Sequence, residues 1–269
     1  MSLKRVLTIA GTDPTGAAGI TADLGVFRDF GCLGASVITS VVWQNSQGVQ
    51  GFKTLEVDEV LGQLDAVLDD LKIDAVKIGM LGNAEIAAGV ASRLKALSVP
   101  IVLDPVMASG DGDKAMWLSG GEPNGWEPIL DVATLITPNV PEFLVLTGRE
   151  TMEREDIEAA LIGAVAAFDA DIVLKAGHLP STDSEVADFL MLRGQTEVLD
   201  LKAFPRIPDD VRGTGCALSS AIAASLVSNP DVLASVEMAR EYLSDRLATR
   251  YWPGKGRASL GSQTKRVVQ

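Results

Sequence analysis

The sequence is poor in the residues that most often announce chemistry. It holds one histidine, His178, and two cysteines, Cys32 and Cys216, among 269 residues. The two cysteines lie far apart in sequence and form no metal-ligand spacing. The two cysteines leave a single disulfide open, but usage this sparse fits a reducing cytosol better. Aromatic residues make up only 5%, and no apolar run approaches the roughly 20 residues that cross a bilayer. The opening "MSLKRVLTIAG" has no signal-peptide apolar region and enters a strand almost at once. Positive charge is also scarce: 23 Lys and Arg against 36 Asp and Glu, a net −13. With no basic stripe, nucleic acid and membrane surfaces are not expected partners. A small anionic substrate remains open, because a nest of backbone N–H groups holds phosphate even in an acidic protein. A cytoplasmic globular protein is expected.

What the chain does have is alternation. Short β-branched runs (5–11, 35–44, 75–81, 100–107, 134–139, 170–177) take turns with helical periods at 20–31, 57–71, 83–98, 141–147 and 153–168. Asn83 is the expected N-cap of the third helix. This is the βαβ signature of a mainly parallel sheet with helices on both faces. Residues 185–205 read as a hairpin about Arg193-Gly194-Gln195, and 215–228 and 232–250 as two closing helices broken by Asn229-Pro230. The Gly-, Asp- and Trp-rich stretch 108–128 reads as a long surface loop. The tail 254–269 reads as partly mobile. With no linker or repeat, residues 1–269 are expected to form one domain.

In such a sheet the ligand lies beyond the carboxyl ends of the strands. Those positions carry "GTDPTGAAG" (11–19), "WQN" (43–45), "GMLG" (79–82), "DPVM" (104–107), "TPNVPE" (137–142), "KAGH" (175–178) and "RGTGC" (212–216). The last is the most informative. Gly213 and Gly215 allow close backbone approach to an anion, and the amides of a helix start form a positive concavity. Cys216 falls in the first helical turn, where the macrodipole favours a thiolate able to take a proton from an attacking hydroxyl. An ordinary helix start with a packed cysteine stays open beside that reading. Asp104 and Glu142 end successive strands and can hold Mg²⁺ through water, or merely close a turn and stabilise a helix start. Lys175 can meet nucleotide phosphates or be a solvated strand-end charge. His178 reads as a hydrogen-bonded loop residue and Cys32 as a small packing residue.

Taken in order, "LTIAGTDPTGAAGITADL", "VITSVVWQNSQGVQGF", "KIGML", "LDPVM", "LITPNVPE", "LKAGH" and "GTGC" closely resemble the hydroxymethylpyrimidine and phosphomethylpyrimidine kinases of thiamine biosynthesis, within the ribokinase-like superfamily. The resemblance covers about residues 5–250. It implies a three-layer α/β/α sandwich and an active site along the carboxyl edge. It implies ATP and Mg²⁺ as cofactors, and successive phosphorylation of 4-amino-5-hydroxymethyl-2-methylpyrimidine and of its monophosphate. It also implies a homodimer. The family's pyrimidine contacts fall on Asp23 and Gln44, with Gly11, Met80 and Val106 lining the pocket. Gly213, Thr214, Gly215 and Cys216 become anion hole and catalytic base. Asn139, Glu142, Lys175 and Thr214 fall on the ATP and Mg²⁺ side, with Asp104 a weaker match.

Three departures accompany the resemblance. Ala17 stands where the family usually has a second glycine, which adds a methyl near the substrate. Arg212 replaces a common histidine and is expected to add a permanent cation beside the anion hole, favouring a phosphorylated substrate. The loop after Met107 lacks the family's lysine before Ser109. A Cys-bearing pyridoxal or pyridoxine kinase is the competing reading, against which Gln44 argues. A pyrimidine-binding protein without turnover is the third.

Overall fold

The computed structural model describes residues 3–108, 125–177 and 185–261. A nine-stranded sheet forms its middle, in the order β10-β9-β7-β6-β5-β4-β1-β2-β3. The strands are β1 (Arg5–Gly11), β2 (Leu33–Asn45), β3 (Gly48–Thr54), β4 (Ala75–Ile78), β5 (Ile101–Leu103), β6 (Leu135–Ile136), β7 (Asp171–Leu174), β9 (Phe189–Met191) and β10 (Leu199–Asp200). The six from β2 to β7 in space run parallel, while β3 pairs antiparallel with β2 at one edge and, at the other, β9 pairs antiparallel with β7 and β10 with β9. Short pairs lie outside it: β8 (Glu185–Val186) with β11 (Phe204–Pro205), and β12 (Val211–Arg212) with β13 (Ala258–Ser259).

Alternation along the strands builds two cores. Leu7, Ile9, Val76, Ile78, Ile101 and Leu103 point to one face, where α2 (Val57–Asp70), α3 (Ala84–Leu94) and the short α4 (Glu127–Leu130) cover them. On the same side, α5 (Val140–Thr147) and α6 (Ile157–Phe168) pack on Ile172 and Leu174. Val6, Ala75, Val102 and Val173 point the other way, under α1 (Gly19–Asp29), α7 (Thr214–Leu226) and α8 (Val232–Ala248). This is the expected three-layer α/β/α sandwich, with strands that are buried on both faces and therefore apolar throughout.

Local chemistry sets the element ends. Asn83 caps α3 by accepting from the Ile86 amide at 2.8 Å, as its position suggests. The expected strand 100–107 stops at Leu103, because Pro105 has no amide to extend a ladder. The hairpin about Gly194 forms, pairing Leu190 with Leu199. One expectation is corrected. The 108–128 stretch does not end as surface loop: Trp126 is wholly buried in the first core and α4 follows it. Residues 109–124 of that stretch, His178 and the last eight residues lie outside the described residues. The part of the tail before them is docked, with β13 paired to β12 and Gly261 donating to the Arg246 carbonyl. Among the described residues no helix is long and apolar enough to cross a membrane.

Candidate active site

The parallel strands all end on one edge, which gathers the glycine-rich turns. After β1, the loop 11–19 is built around Asp13, nearly sealed from solvent at 2% exposure. One carboxylate oxygen accepts from the amide and hydroxyl of Thr15, both at 2.8 Å, and the other from the Ala18 amide at 2.9 Å. This Asx-type closure orients the start of α1 without a side-chain cap on the helix itself. The loop presses against the mouth of α7. Gly213, the N-cap of that helix, has φ +83°, and a Cβ there would collide with the Ala17 carbonyl oxygen. Only glycine fits, for steric and conformational reasons together. Gly215 differs. A Cβ on it would make ordinary contact, 3.4 Å from Lys175 Nζ and 3.5 Å from Asp104. Its missing side chain keeps open the gap between the helix mouth and those charges. Helix geometry leaves the amides of Thr214, Gly215 and Cys216 without intrahelical partners there.

Cys216 is partly buried at this mouth and accepts a hydrogen bond from the Gly19 amide at the start of α1. Two helix N-termini therefore meet at one sulfur. The expected lowering of its pKa is nevertheless corrected. Burial pushes the thiol up to about 11, against the opposing pull of Lys77, with Asp23 and Asp104 adding to the rise. A dipole legible in sequence is outweighed by desolvation that depends on the distant loop 11–19 closing over the helix start.

Below the sulfur lies a charge pair that sequence reading overlooked. Lys77, in the middle of β4, and Asp23, in α1, are both wholly inaccessible, with Nζ 2.9 and 3.1 Å from the two carboxylate oxygens. Thr8 donates to Asp23 at 2.6 Å and Ser220 at 2.8 Å. Burial disfavours the ammonium, but Asp23 more than offsets this and holds the Lys77 pKa above its ordinary value. The Asp23 oxygens are engaged by Lys77 and Thr8 on the sheet and by Ser220 on α7. A lysine amid "AVKI" reads as strand composition, which is why its role was not visible.

The pocket-lining expectations fare differently. Met80, Val42, Val49, Phe52 and Val106 form a small apolar cluster of their own. Gly11 abuts it, since a Cβ there would stand 3.1 Å from Met80 Sδ and 3.4 Å from Val42. Gln44 lies two residues beyond Val42 on β2. Its Oε1 accepts from Arg212 at 2.5 Å and its Nε2 donates to the Thr12 carbonyl at 3.5 Å. Arg212 itself is buried, and also donates to Asp13 and to Thr15, both at 3.2 Å. The permanent cation expected at this position is thus paired with Asp13.

Farther along the edge, Lys175 Nζ lies between Asp104 at 2.8 Å and Glu142 at 3.8 Å. Asp104 is buried and also accepts from Thr137 at 3.3 Å and Ser219 at 3.4 Å. Burial opposes its charge, yet Lys175 and Lys77 hold its pKa below the ordinary value. Lys175 is likewise held above its own, burial notwithstanding, by Asp104 and Glu142. Asn139 and Glu142 form a capping box on α5, exchanging two 2.8 Å bonds with each other's backbone. Burial pushes Glu142 up to about 7, with Lys175 opposing and Asp104 contributing. The two carboxylates thus flank an ammonium instead of an open cation cradle, and no group of three or more acidic, His or Cys ligands occurs among the described residues. They do not fit a metal held directly by both. Both cysteines are free, and Cys32 packs beside the second core as expected.

This fold and edge define a class, the ribokinase-like small-molecule kinases. The solved Staphylococcus aureus pyridoxal kinase bound to pyridoxal superposes with a TM-score of 0.85 at 26% identity, covering 99% of this chain and 96% of that one. Phosphomethylpyrimidine kinase from Clostridium difficile gives 0.74 at 30% identity, covering 91% and 99%. Within that class the chain belongs to the phosphomethylpyrimidine kinase family, which it matches over residues 13–261. A hydroxymethylpyrimidine/phosphomethylpyrimidine kinase of Streptomyces coelicolor is 38% identical over 252 residues, 93% of this chain and 91% of that protein. A thiamine biosynthesis multifunctional protein of Corynebacterium efficiens is 36% identical over 98% of this chain, which spans only 36% of that protein's length.

Proposed function

We propose that the chain transfers the γ-phosphoryl group of ATP to the hydroxymethyl group of 4-amino-5-hydroxymethyl-2-methylpyrimidine, and then a second phosphoryl group to the monophosphate. One observation carries the reading. Arg212, on the strand that leads into the α7 mouth, touches Gln44 directly. The amides suited to phosphate and the carboxamide suited to a heteroaromatic ring are therefore bridged by one side chain, on one edge of the sheet. The apolar cluster of Met80, Val42 and Val106 offers faces for that ring.

In this reading the substrate hydroxyl oxygen attacks the γ-phosphorus while its proton passes to the Cys216 thiolate, and the bond to the ADP oxygen breaks. The α7 amides stabilise the charge that gathers on the transferring oxygens. Lys175, 18% exposed, is the cation nearest to where nucleotide phosphates would lie, with Thr214, Asn139 and Glu142 beside it. Mg²⁺ comes as part of the ATP substrate. Homodimer formation belongs to the same reading. The outward-facing Val41 and Trp43 on β2, nearly half exposed, would suit it.

The high similarity to pyridoxal kinase favours one alternative, pyridoxal as substrate. The greater sequence identity to pyrimidine kinases, and Gln44, weigh against it. Turnover of ATP measured with the pyrimidine alcohol, its monophosphate and pyridoxal separates the two. Stimulation mainly by pyridoxal would overturn the proposal, and stimulation by none would point to a binder without turnover.

A further inference from the structure

Arg212 has no role in the transfer described above, yet it is one of two buried arginines among the described residues and reaches two segments at once, the loop 11–19 and β2. Its guanidinium only donates. Whatever carboxamide atom faces it at 2.5 Å must be oxygen, so Gln44 is compelled to turn Oε1 inward. The Thr12 carbonyl, which only accepts, lies on the Nε2 side and agrees with that orientation. Asp13 and Thr15 hold the guanidinium from the other side, and Asp13 is itself fixed by the amides of Thr15 and Ala18. The strand carrying Arg212 is pinned in turn by β13, through the pairs Val211–Ala258 and Arg212–Ser259.

From this chain of contacts we propose that Arg212 is a positioning residue for substrate specificity. It locks the Gln44 carboxamide so that the NH₂, with one N–H given to the Thr12 carbonyl, has its second N–H left for the ligand, and the bound ring is read through a hydrogen-bond acceptor. The proposal rests on Gln44 being the ring-recognition residue, as in the reading above. It leaves the amino group of the pyrimidine to be met elsewhere. A side chain able to rotate its amide would accept a donor or an acceptor equally well; the locked one discriminates.

Steady-state kinetics with the pyrimidine alcohol and ATP test this on four variants whose melting temperatures are recorded alongside. Arg212→Lys keeps a charge for Asp13 but replaces the fork by a single point of donation. It should raise KM for the pyrimidine about tenfold, with kcat and the KM for ATP changed less than about twofold. Gln44→Ala should raise the same KM at least as much, and Arg212→Lys combined with Gln44→Ala should add nothing further. Gln44→Glu retains a partner for Arg212 but offers the ligand no donor, so it should also raise the pyrimidine KM while leaving the fold intact. Multiplying effects in the double variant would mean that Arg212 acts on the substrate directly, and would overturn the proposal while the role of Gln44 stands. Undiminished pyrimidine binding in Gln44→Glu would overturn the assigned orientation. An unchanged KM in Gln44→Ala would remove Gln44 from the pocket and overturn this proposal, while the turnover measured with the pyrimidine would leave the proposed activity standing.

Discussion

Lys77 and Asp23 form an ion pair with no solvent exposure on either side chain, their charged atoms 2.9 Å apart beneath the helix that carries Cys216. A buried charge that loses its partner must desolvate alone, which is far costlier than the pair is worth. Lys77→Met should therefore destabilise the protein by about 3–5 kcal/mol in urea unfolding. The double change Lys77→Met with Asp23→Leu should recover much of that loss. Equal losses in single and double variants would show that packing, not charge pairing, makes the site critical.

Gly213 holds its left-handed conformation directly against the Ala17 carbonyl. Gly213→Ala should separate the loop 11–19 from the mouth of α7, costing about 1–3 kcal/mol and most of the turnover. Gly215→Ala meets only ordinary contacts and should keep stability while impairing phosphate binding. Comparing the two by thermal unfolding and ATP turnover checks the distinction. Similar stability losses in both would contradict it.

Glu142 makes stability depend on pH with a definite sign. Its pKa is raised in the folded state, so the native protein holds the proton more tightly than the unfolded chain. The stability this contributes is full below the ordinary value of 4.5 and is lost as pH rises through about 7. Gln at this position keeps the capping box and does not titrate. The stability of Glu142→Gln relative to the natural protein should therefore increase between pH 5 and pH 8, on the order of 1–3 kcal/mol. A difference that is flat or falls with pH contradicts the burial argument.

Cys216 holds its proton at neutral pH because burial pushes its pKa up to about 11. If the thiolate is the base, its population grows about tenfold per pH unit below that value. Turnover should then rise between pH 7.5 and 9, above the range in which Glu142 titrates, and should do so in Glu142→Gln as well. A rate independent of pH over that interval would assign the proton to another acceptor.

The architecture was readable wherever period and local chemistry agree. β1 spans the residues its apolar run marked out, and Asn83 caps α3 as its position suggested. β3 escaped notice because Gly48 and Gly51 dilute its strand character, and β12 and β13 because two-residue strands leave no period to find. At the site, the glycine turns and Cys216 were legible because each follows a strand or opens a helix. The partners of Asp23 were not, since Thr8, Lys77 and Ser220 come together only through the sheet and its covering helices. Arg212 looked like an extra charge for the same reason: its counter-ion, Asp13, is 199 positions away.

The most direct test of the account follows phosphorus through the reaction. With ATP and the pyrimidine monophosphate, ³¹P NMR should show a new diphosphate product. Cys216→Ala should bind the pyrimidine with near-normal affinity in calorimetry, yet form that product about 10²- to 10⁴-fold more slowly. Product formation by Cys216→Ala at the natural rate, or pyridoxal phosphate as the only product the natural protein yields, would contradict it.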